Sequence, residues 1–142
     1  FKQLAELDKI WVKERISPGF IPRDTRDFKK DIKKAICFVA ESNNKIVGYI
    51  FGKKRIFKKK KRPFFFKKNE RYIDLDALYA LKPYRKKKAG KMLIQALINE
   101  AKKQKFQSID LVADNKQQKR IINFYKNNKF KIIFTRMKLN LK

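Results

Sequence analysis

Four consecutive cations, Arg85-Lys86-Lys87-Lys88, run directly into Ala89-Gly90 and a long stretch of helical periodicity. A helix N-terminus carries unpaired amides and about half a positive charge, so it binds anions without dedicated side chains. With four cations before it and one glycine in its first turn, this terminus suits a pyrophosphate; taken as charge alone, the run also reads as a solvated turn. A second run, Lys58 to Arg62, stands before Pro63 and Phe64-Phe65-Phe66. Cations beside aromatics mark nucleic-acid binders, because cations on phosphates supply most non-specific affinity. Other reactive types are sparse. The chain has no His and one Cys, so neither a Zn site nor a Ser-His-Asp triad can be assembled, no internal disulfide forms, and no metal is expected. Cys37 opens an apolar run and reads as a small core residue.

These groups sit in a chain of 142 residues with 40 Lys and Arg against 13 Asp and Glu, a net charge of +27. We read residues 1–142 as one domain, long enough to bury roughly two-thirds of its unfolded surface. At 43% hydrophobic and 13% aromatic it is no disordered basic tail. Its longest apolar runs fall far short of the ~18 residues that cross a bilayer, so no membrane partner is expected. No secretory signal precedes the first helix, and the expected location is the cytoplasm. The first residue is Phe rather than Met, which points to chain preceding it. Lys outnumbers Arg 31 to 9; that bias also fits an AT-rich genome, so part of the charge is drift.

Periodicity orders the elements that must carry these groups. Leu4, Leu7 and Trp11 recur at helical spacing from Lys2 to Arg15, and Ser17-Pro18-Gly19 ends that helix. A shorter helix runs from Asp24 or Thr25 to about Lys34, capped by that residue's side-chain oxygen and buried through Phe28 and Ile32. Ile36–Ala40 and Ile46–Phe51 are apolar runs around a Glu41–Lys45 turn, which makes a hairpin. Lys53–Arg71 is a hairpin loop whose flanks extend the strands. From Tyr72 to Leu81, Ile73, Leu75, Ala77 and Tyr79 point one way, and Asp74, Asp76, Leu78 and Ala80 the other. A helix follows from Ala89 to about Lys105 through Leu93, Ala96, Leu97 and Ala101. Then come a strand at Ser108–Ala113, a helix at Gln117–Asn127 and a final strand at Phe130–Leu141. The order α-α-β-β-β-α-β-α-β implies an α/β fold with a mixed sheet flanked by helices.

The segment Leu78 to Leu93 (LYALKPYRKKKAGKML) resembles the acetyl-CoA motif of the GNAT superfamily of N-acetyltransferases. In that motif a strand, a Pro and a Tyr-Arg pair run into R-x-x-G-x-G/A and a helix. Three further stretches resemble the same family in the same order: CFVAESNNKIVGYIFG (Cys37 to Gly52), NFYKNNKF (Asn123 to Phe130) and RMKLNL (Arg136 to Leu141). The resemblance spans about Ala35 to Leu141. It implies a mostly antiparallel mixed sheet in which two strands splay apart at the cofactor slot, with Ser108–Ala113 as the partner strand. The strand usual before the first helix would precede Phe1.

The resemblance also assigns roles. Arg85 matches the motif's opening Arg, and the amides of about Lys86, Lys87, Lys88, Ala89, Gly90 and Lys91 would hold the pyrophosphate of acetyl-CoA. The main chain of Leu78, Tyr79 and Ala80 would hold the pantetheine arm and supply donors for the developing oxyanion. Asp74 sits where some members carry a catalytic carboxylate, and Asp76 shares its expected face. The amine is mostly protonated at neutral pH and needs a base. A field of +27 favours the ionised carboxylates and therefore points to proton relay through water. Tyr125 matches the tyrosine near the sulfur and is the expected acid. Lys88 occupies the motif's first glycine position; if its φ is positive, the lysine costs on the order of 1 kcal/mol but keeps its amide. Gln118, Ile121 and Lys129 also depart from the family pattern.

The expected activity is thus N-acetyl transfer by direct attack of a primary amine on the thioester. The alternatives are a basic nucleic-acid- or ribosome-binding module and a non-catalytic binder with this fold. Nucleic acid is the less favoured partner, because the cations are spread over every segment. The positive field disfavours lysine-rich acceptors and leaves acceptors with anionic groups, or an acceptor held near Glu70, Asp74 and Asp76. A protein α-amino group and a small-molecule amine both remain open, and oligomeric state is not legible.

Overall fold

The computed structural model describes residues 1–61 and 63–141. The elements are α1 (Lys2–Glu14), α2 (Thr25–Asp31) with a 3-10 turn (Ile32–Lys34), β1 (Ala35–Ser42), β2 (Lys45–Ile56) and β3 (Arg71–Ala80). After them come the single turn α3 (Lys82–Arg85), α4 (Ala89–Lys103), β4 (Ser108–Asp110) and α5 (Gln118–Asn127). One sheet, in the order β1-β2-β3-β4, is antiparallel except for the parallel β3–β4 pair.

Local chemistry accounts for the joints. Asp24 and Asp27 form a reciprocal capping box at the start of α2, which satisfies two otherwise orphaned amides. Asn43 (φ 49°) and Asn44 (φ 61°) take the left-handed conformation in the β1–β2 turn, as a two-residue hairpin loop requires. Each face of the sheet carries one apolar cluster. Leu4, Leu7 and Trp11 of α1 and Phe28 of α2 pack on Tyr49, Phe51, Ala77 and Tyr79. Leu93, Ile94, Leu97 and Ala101 of α4 pack on Ile36, Ile50, Ile73 and Leu75.

That division corrects the alternation expected in β3. Ile73 and Leu75 face α4, but Ala77 and Tyr79 face α1, and Leu78 packs back on the α4 side. The cause is a bulge: Phe51 pairs with Ala77 and Gly52 with Leu75, leaving Asp76 without an opposite residue. One extra residue flips every side chain beyond it. Asp74 and Asp76 therefore do not share a face with Leu78.

A second correction concerns the end of the chain. Phe130–Leu141 forms no strand, and β4 stops at Asp110 instead of Ala113. Residues 131–141 are exposed along their length, although Met137, Leu139 and Leu141 alternate with Lys138 and Asn140. Alternation describes a surface that fits a ladder; without a neighbour on the outer edge of β4 no ladder forms. The 57–70 loop is closed by Phe57 and Asn69, whose amides donate to the carbonyls of Glu70 and Phe57 (both 2.9 Å). Arg62, in the basic run of that loop, lies outside the described residues.

Gly52 sets the distance between sheet and helix. A Cβ there would sit 2.4 Å from Ile73 Cγ2 and 3.3 Å from Leu97 Cδ1. Gly52→Ala should cost about 1–3 kcal/mol through overpacking, read as a lowered urea midpoint at unchanged m-value.

Candidate active site

β3 and β4 pair only at Tyr72–Ser108, Ile73–Ile109 and Asp74–Asp110. Beyond Asp74 the strands part, and the β4 side of Leu75 to Ala80 faces no strand among the described residues. The parting is held open from the far end. Past β4, Asp114 Oδ2 accepts from the Gly19 amide (2.7 Å), and the Lys116 amide donates to the Ile16 carbonyl (2.8 Å). Both anchors belong to the segment after α1, which draws the chain beyond β4 away from β3.

The same end of α1 fixes the other wall. Arg85 Nη2 donates to both Glu14 oxygens (2.9 and 2.7 Å), and Arg85 Nε donates to the Ala80 carbonyl (2.8 Å). The Tyr79 hydroxyl donates to Glu14 as well, and its ring stacks on Trp11 with centroids 5.0 Å apart. The Arg85 guanidinium is thus turned inward as a brace, and the Tyr79 side chain is buried against α1. Only the main chain of this stretch borders the parting.

Behind the brace, the first intrahelical bond of α4 runs from the Met92 amide to the Lys88 carbonyl (3.0 Å). The amides of Lys88, Ala89, Gly90 and Lys91 precede it and have no intrahelical acceptor. Lys87 is different, for its amide donates to the Tyr84 carbonyl (3.1 Å). Lys88 is the N-cap, with φ 63° and ψ 23°, so the positive φ considered for this lysine is present. No side chain caps the helix. A Cβ on Gly90 would touch the Phe124 ring at 3.5 Å. Beyond Phe124 an open groove of about 880 Å³ runs along α5, lined among others by Lys116, Lys119, Arg120 and Asn123.

The titratable candidates divide between the faces of β3. Tyr125 packs with Leu78 on the α4 side, between Phe124 (5.1 Å) and Phe130 (5.4 Å). Burial pushes its phenol up to about 12. Asp74 and Asp76 lie on the opposite face, each beside a cation. Arg55 Nε donates to Asp74 (2.8 Å), and Arg23 Nη1 to Asp76 (2.9 Å), with Lys53 Nζ 3.7 Å from Asp76. Burial raises the Cys37 thiol to about 11, so it stays a protonated packing residue.

Three features escaped the sequence reading. Asp110, in register with Asp74 where the strands part, has no cation within ion-pair distance among the described residues. Its carboxyl is raised by burial, then by Asp74 and Glu70. The signal was the alternation of Ser108–Ala113, which sets Asp110 opposite Ile109 and Leu111. Asp8, fully buried, accepts from the Tyr49 hydroxyl and from the Arg23 amide (2.9 Å). The Arg23 guanidinium lies over Phe28 (4.4 Å) and Phe51 (4.7 Å), and this network ties the segment before α2 to the sheet and to Asp76. A carboxylate on the apolar stripe of α1 was its signal. Glu14 carried none beyond its place at a helix end.

The raised carboxyl of Asp110 has a pH signature. Its folded value lies above the ordinary 3.8, so the folded chain binds more proton between the two values and the ionised group destabilises at neutral pH. Asp110→Asn should therefore be the more stable protein at pH 7. That advantage should shrink as the pH falls through the folded value and vanish below the unfolded one, read as melting temperatures from pH 3.5 to 7.5.

The model of the acetyltransferase (GNAT) family matches residues 4–130. A search of the curated proteins by sequence found no match. Among solved structures, a predicted acetyltransferase from Clostridium acetobutylicum, determined with acetyl-CoA, is 23% identical with a TM-score of 0.69, covering 97% of this chain and 88% of its own. An aminoglycoside acetyltransferase from an uncultured soil metagenomic sample, in complex with trehalose, is 22% identical with a TM-score of 0.67, covering 99% of this chain and 87% of its own. A ribosomal-protein-alanine N-acetyltransferase from Brucella melitensis is 16% identical with a TM-score of 0.65, covering 98% of this chain and 91% of its own. The parted strands, the uncapped start of α4 and a family match over nearly the whole chain agree: this protein belongs to the acetyltransferase (GNAT) family.

Proposed function

We propose that this acetyltransferase moves the acetyl group of acetyl-CoA onto a primary amine that approaches β3 from the Asp74–Asp110 face. The observation that carries the reading is the parting of β3 from β4 immediately after that pair, beside four amides of α4 with no intrahelical acceptor. The residues present fit the cosubstrate. Unpartnered amides at a helix N-terminus suit a diphosphate, and the free edge of β3 can take an extended arm as another strand would. The open groove along α5 adjoins that terminus and carries cations for further phosphate.

Bound acetyl-CoA supplies an activated acetyl thioester; the chain's own groups do the rest. Leu78 to Ala80 offer main chain along the arm, and amides there would face the oxygen as charge develops. The Ala80 carbonyl is held by Arg85, so Arg85 is a positioning residue in this reading, and the pyrophosphate amides narrow to Lys88, Ala89, Gly90 and Lys91. The ammonium must lose a proton before it attacks. Asp110, which has no cation within ion-pair distance among the described residues, takes it through water; Asp74 is held by Arg55 and Asp76 by Arg23 and Lys53, and both orient rather than accept. The amine nitrogen then forms the C–N bond, the C–S bond breaks, and the second amine proton goes to the thiolate. Tyr125 assists by hydrogen bonding. A phenol near 12 stays protonated, and full transfer to a thiolate of ordinary pKa ~8.5 would be uphill by roughly three orders of magnitude.

The acceptor follows from local charge. Two neighbouring carboxylates on that face suit a cationic amine, whether a small molecule or a protein α-amino group. The aminoglycoside and ribosomal-protein-alanine enzymes among the similar structures represent these two classes. Among the described residues no helix is long and apolar enough to cross a membrane, and dependence on acetyl-CoA, an intracellular metabolite, supports a cytoplasmic location.

Coenzyme A should raise the melting temperature and release heat in calorimetry; a folded protein giving neither response would end this reading. Tyr125→Phe should slow acetyl transfer, followed as thiol release across an amine panel, by on the order of ten- to a hundredfold. Its coenzyme affinity should stay within about twofold, since the phenol contacts sulfur and not phosphate. Unchanged turnover would remove Tyr125 from the mechanism.

A further inference from the structure

The segment FKKKKRPFFFKK, residues 57–68, contains seven cations and no carboxylate. Among the described residues, Lys58, Lys59, Lys60, Lys61, Lys67 and Lys68 are all exposed and none is within ion-pair distance of an acid. The loop that carries them has a built base. Phe57 stacks on Phe66 (4.5 Å), Phe66 packs on Tyr72 (4.7 Å), and Phe65 stacks on Phe134 (5.6 Å). Three of its four phenylalanines are thereby turned inward. The fourth, Phe64, is 89% exposed and stands at the side of an open groove of about 580 Å³ lined by Lys60, Lys61, Pro63, Phe66 and Lys67.

We propose that this loop is a binding surface for single-stranded RNA, with one base stacked on Phe64 and the flanking phosphates on the lysines. The physical case is complementarity. A bare aromatic ring beside a cation-lined groove offers a π-face and a phosphate track together, the combination that holds single strands without reading sequence. The loop at the end of the β2–β3 pair carries no helix or strand of its own among the described residues to enter a duplex groove, and stacking on Phe64 needs an unpaired base, which RNA loops and ends supply. A membrane fits less well: its flat surface leaves the groove unfilled, and among the described residues the loop exposes only Pro63 and Phe64 as apolar side chains. The surface lies outside the parting of β3 and β4, so the proposal stands independently of the acetyl-transfer chemistry.

The test is fluorescence anisotropy of the intact protein with a labelled 12-nucleotide oligouridylate between 50 and 200 mM salt. Binding should weaken steeply with salt, with a slope of about −0.7 per phosphate neutralised. Phe64→Ala should weaken it roughly five- to 150-fold, as loss of one base stack does, with the slope and the melting temperature unchanged because the ring is exposed. The double substitution Lys60→Gln/Lys61→Gln should flatten the slope by about 1.4. An equal change of charge at Lys33 and Lys34, exposed lysines outside the loop, should leave the slope nearly intact. The proposal fails if the oligonucleotide is not bound at 50 mM salt, if Phe64→Ala binds as the parent does, or if the two lysine pairs behave alike. Tighter, Phe64-dependent binding to phosphatidylserine vesicles than to the oligonucleotide would also overturn it, in favour of a lipid surface.

Discussion

The last residue of α1 and the turn that follows it hold the rest of the site in place. Within a few residues they offer Glu14 to Arg85 and Tyr79, the Ile16 carbonyl to Lys116 and the Gly19 amide to Asp114. The first contact fixes the end of β3 and the approach to α4. The other two fix the chain beyond β4. One short segment therefore grips both walls of the parting from the side opposite α4, through the Glu14 and Asp114 carboxylates and the Ile16 carbonyl. A hydrogen bond to a charged group is worth roughly 1.5–3 kcal/mol, so these few contacts suffice to keep the two walls in one arrangement.

The backbone of this chain puts lysine where left-handed geometry favours glycine. Its four glycines all lie outside positive φ, while Arg15, Lys88, Lys105 and Lys129 adopt it, alongside three asparagines. Arg15 directly follows α1, and Lys105 and Lys129 lie two residues past α4 and α5, where a left-handed residue commonly ends a helix. Each costs on the order of 1 kcal/mol relative to glycine, a tax that total stabilities of about 5–15 kcal/mol can absorb only a few times. At Lys88 the side chain leaves the peptide N–H in place and adds a cation beside the amides at the start of α4 that have no intrahelical acceptor. Strain and unpartnered amides coincide there, whereas Arg15, Lys105 and Lys129 at the C-terminal helix ends bring only the strain.

The limits of sequence reading follow from the same features. The helices were legible because Leu4, Leu7 and Trp11, or Leu93, Ala96 and Leu97, repeat with helical spacing whatever surrounds them. The Asn43-Asn44 turn was legible because its conformation is a property of those residues. The facing of β3 was not, since a bulge is a relation between two strands: nothing in Asp76 itself announces that Phe51 and Gly52 will pass it by. The end of β4 and the 130–141 stretch failed for a kindred reason, because an alternating pattern states a capacity to pair and not the presence of a partner. Among the site groups, Lys88 to Gly90 were visible as a local motif. Asp110 and Glu14 act only through residues distant in the chain, 36 away in the register with Asp74 and 71 away at Arg85.

Charge in this protein also separates into two kinds that the net +27 conceals. Arginines 23, 55, 71 and 85 make directional bonds to Asp8, Asp74, Asp76, Glu14 and main-chain carbonyls, as a planar, multiply donating guanidinium is suited to do. Among the described residues, Lys9 and Lys53 are the only lysines within ion-pair distance of an acid. The surplus is therefore almost entirely hydrated ammonium at the surface, screened over about 8 Å at physiological ionic strength. Such a field cannot decide what enters the gap between β3 and β4, where Asp110 and the Asp74–Arg55 pair are the local charges. It acts on anions that come within reach of particular lysines, at the start of α4 and along the 57–68 loop. A carboxylate-bearing gap and cation-lined surfaces thus coexist on one strongly basic chain.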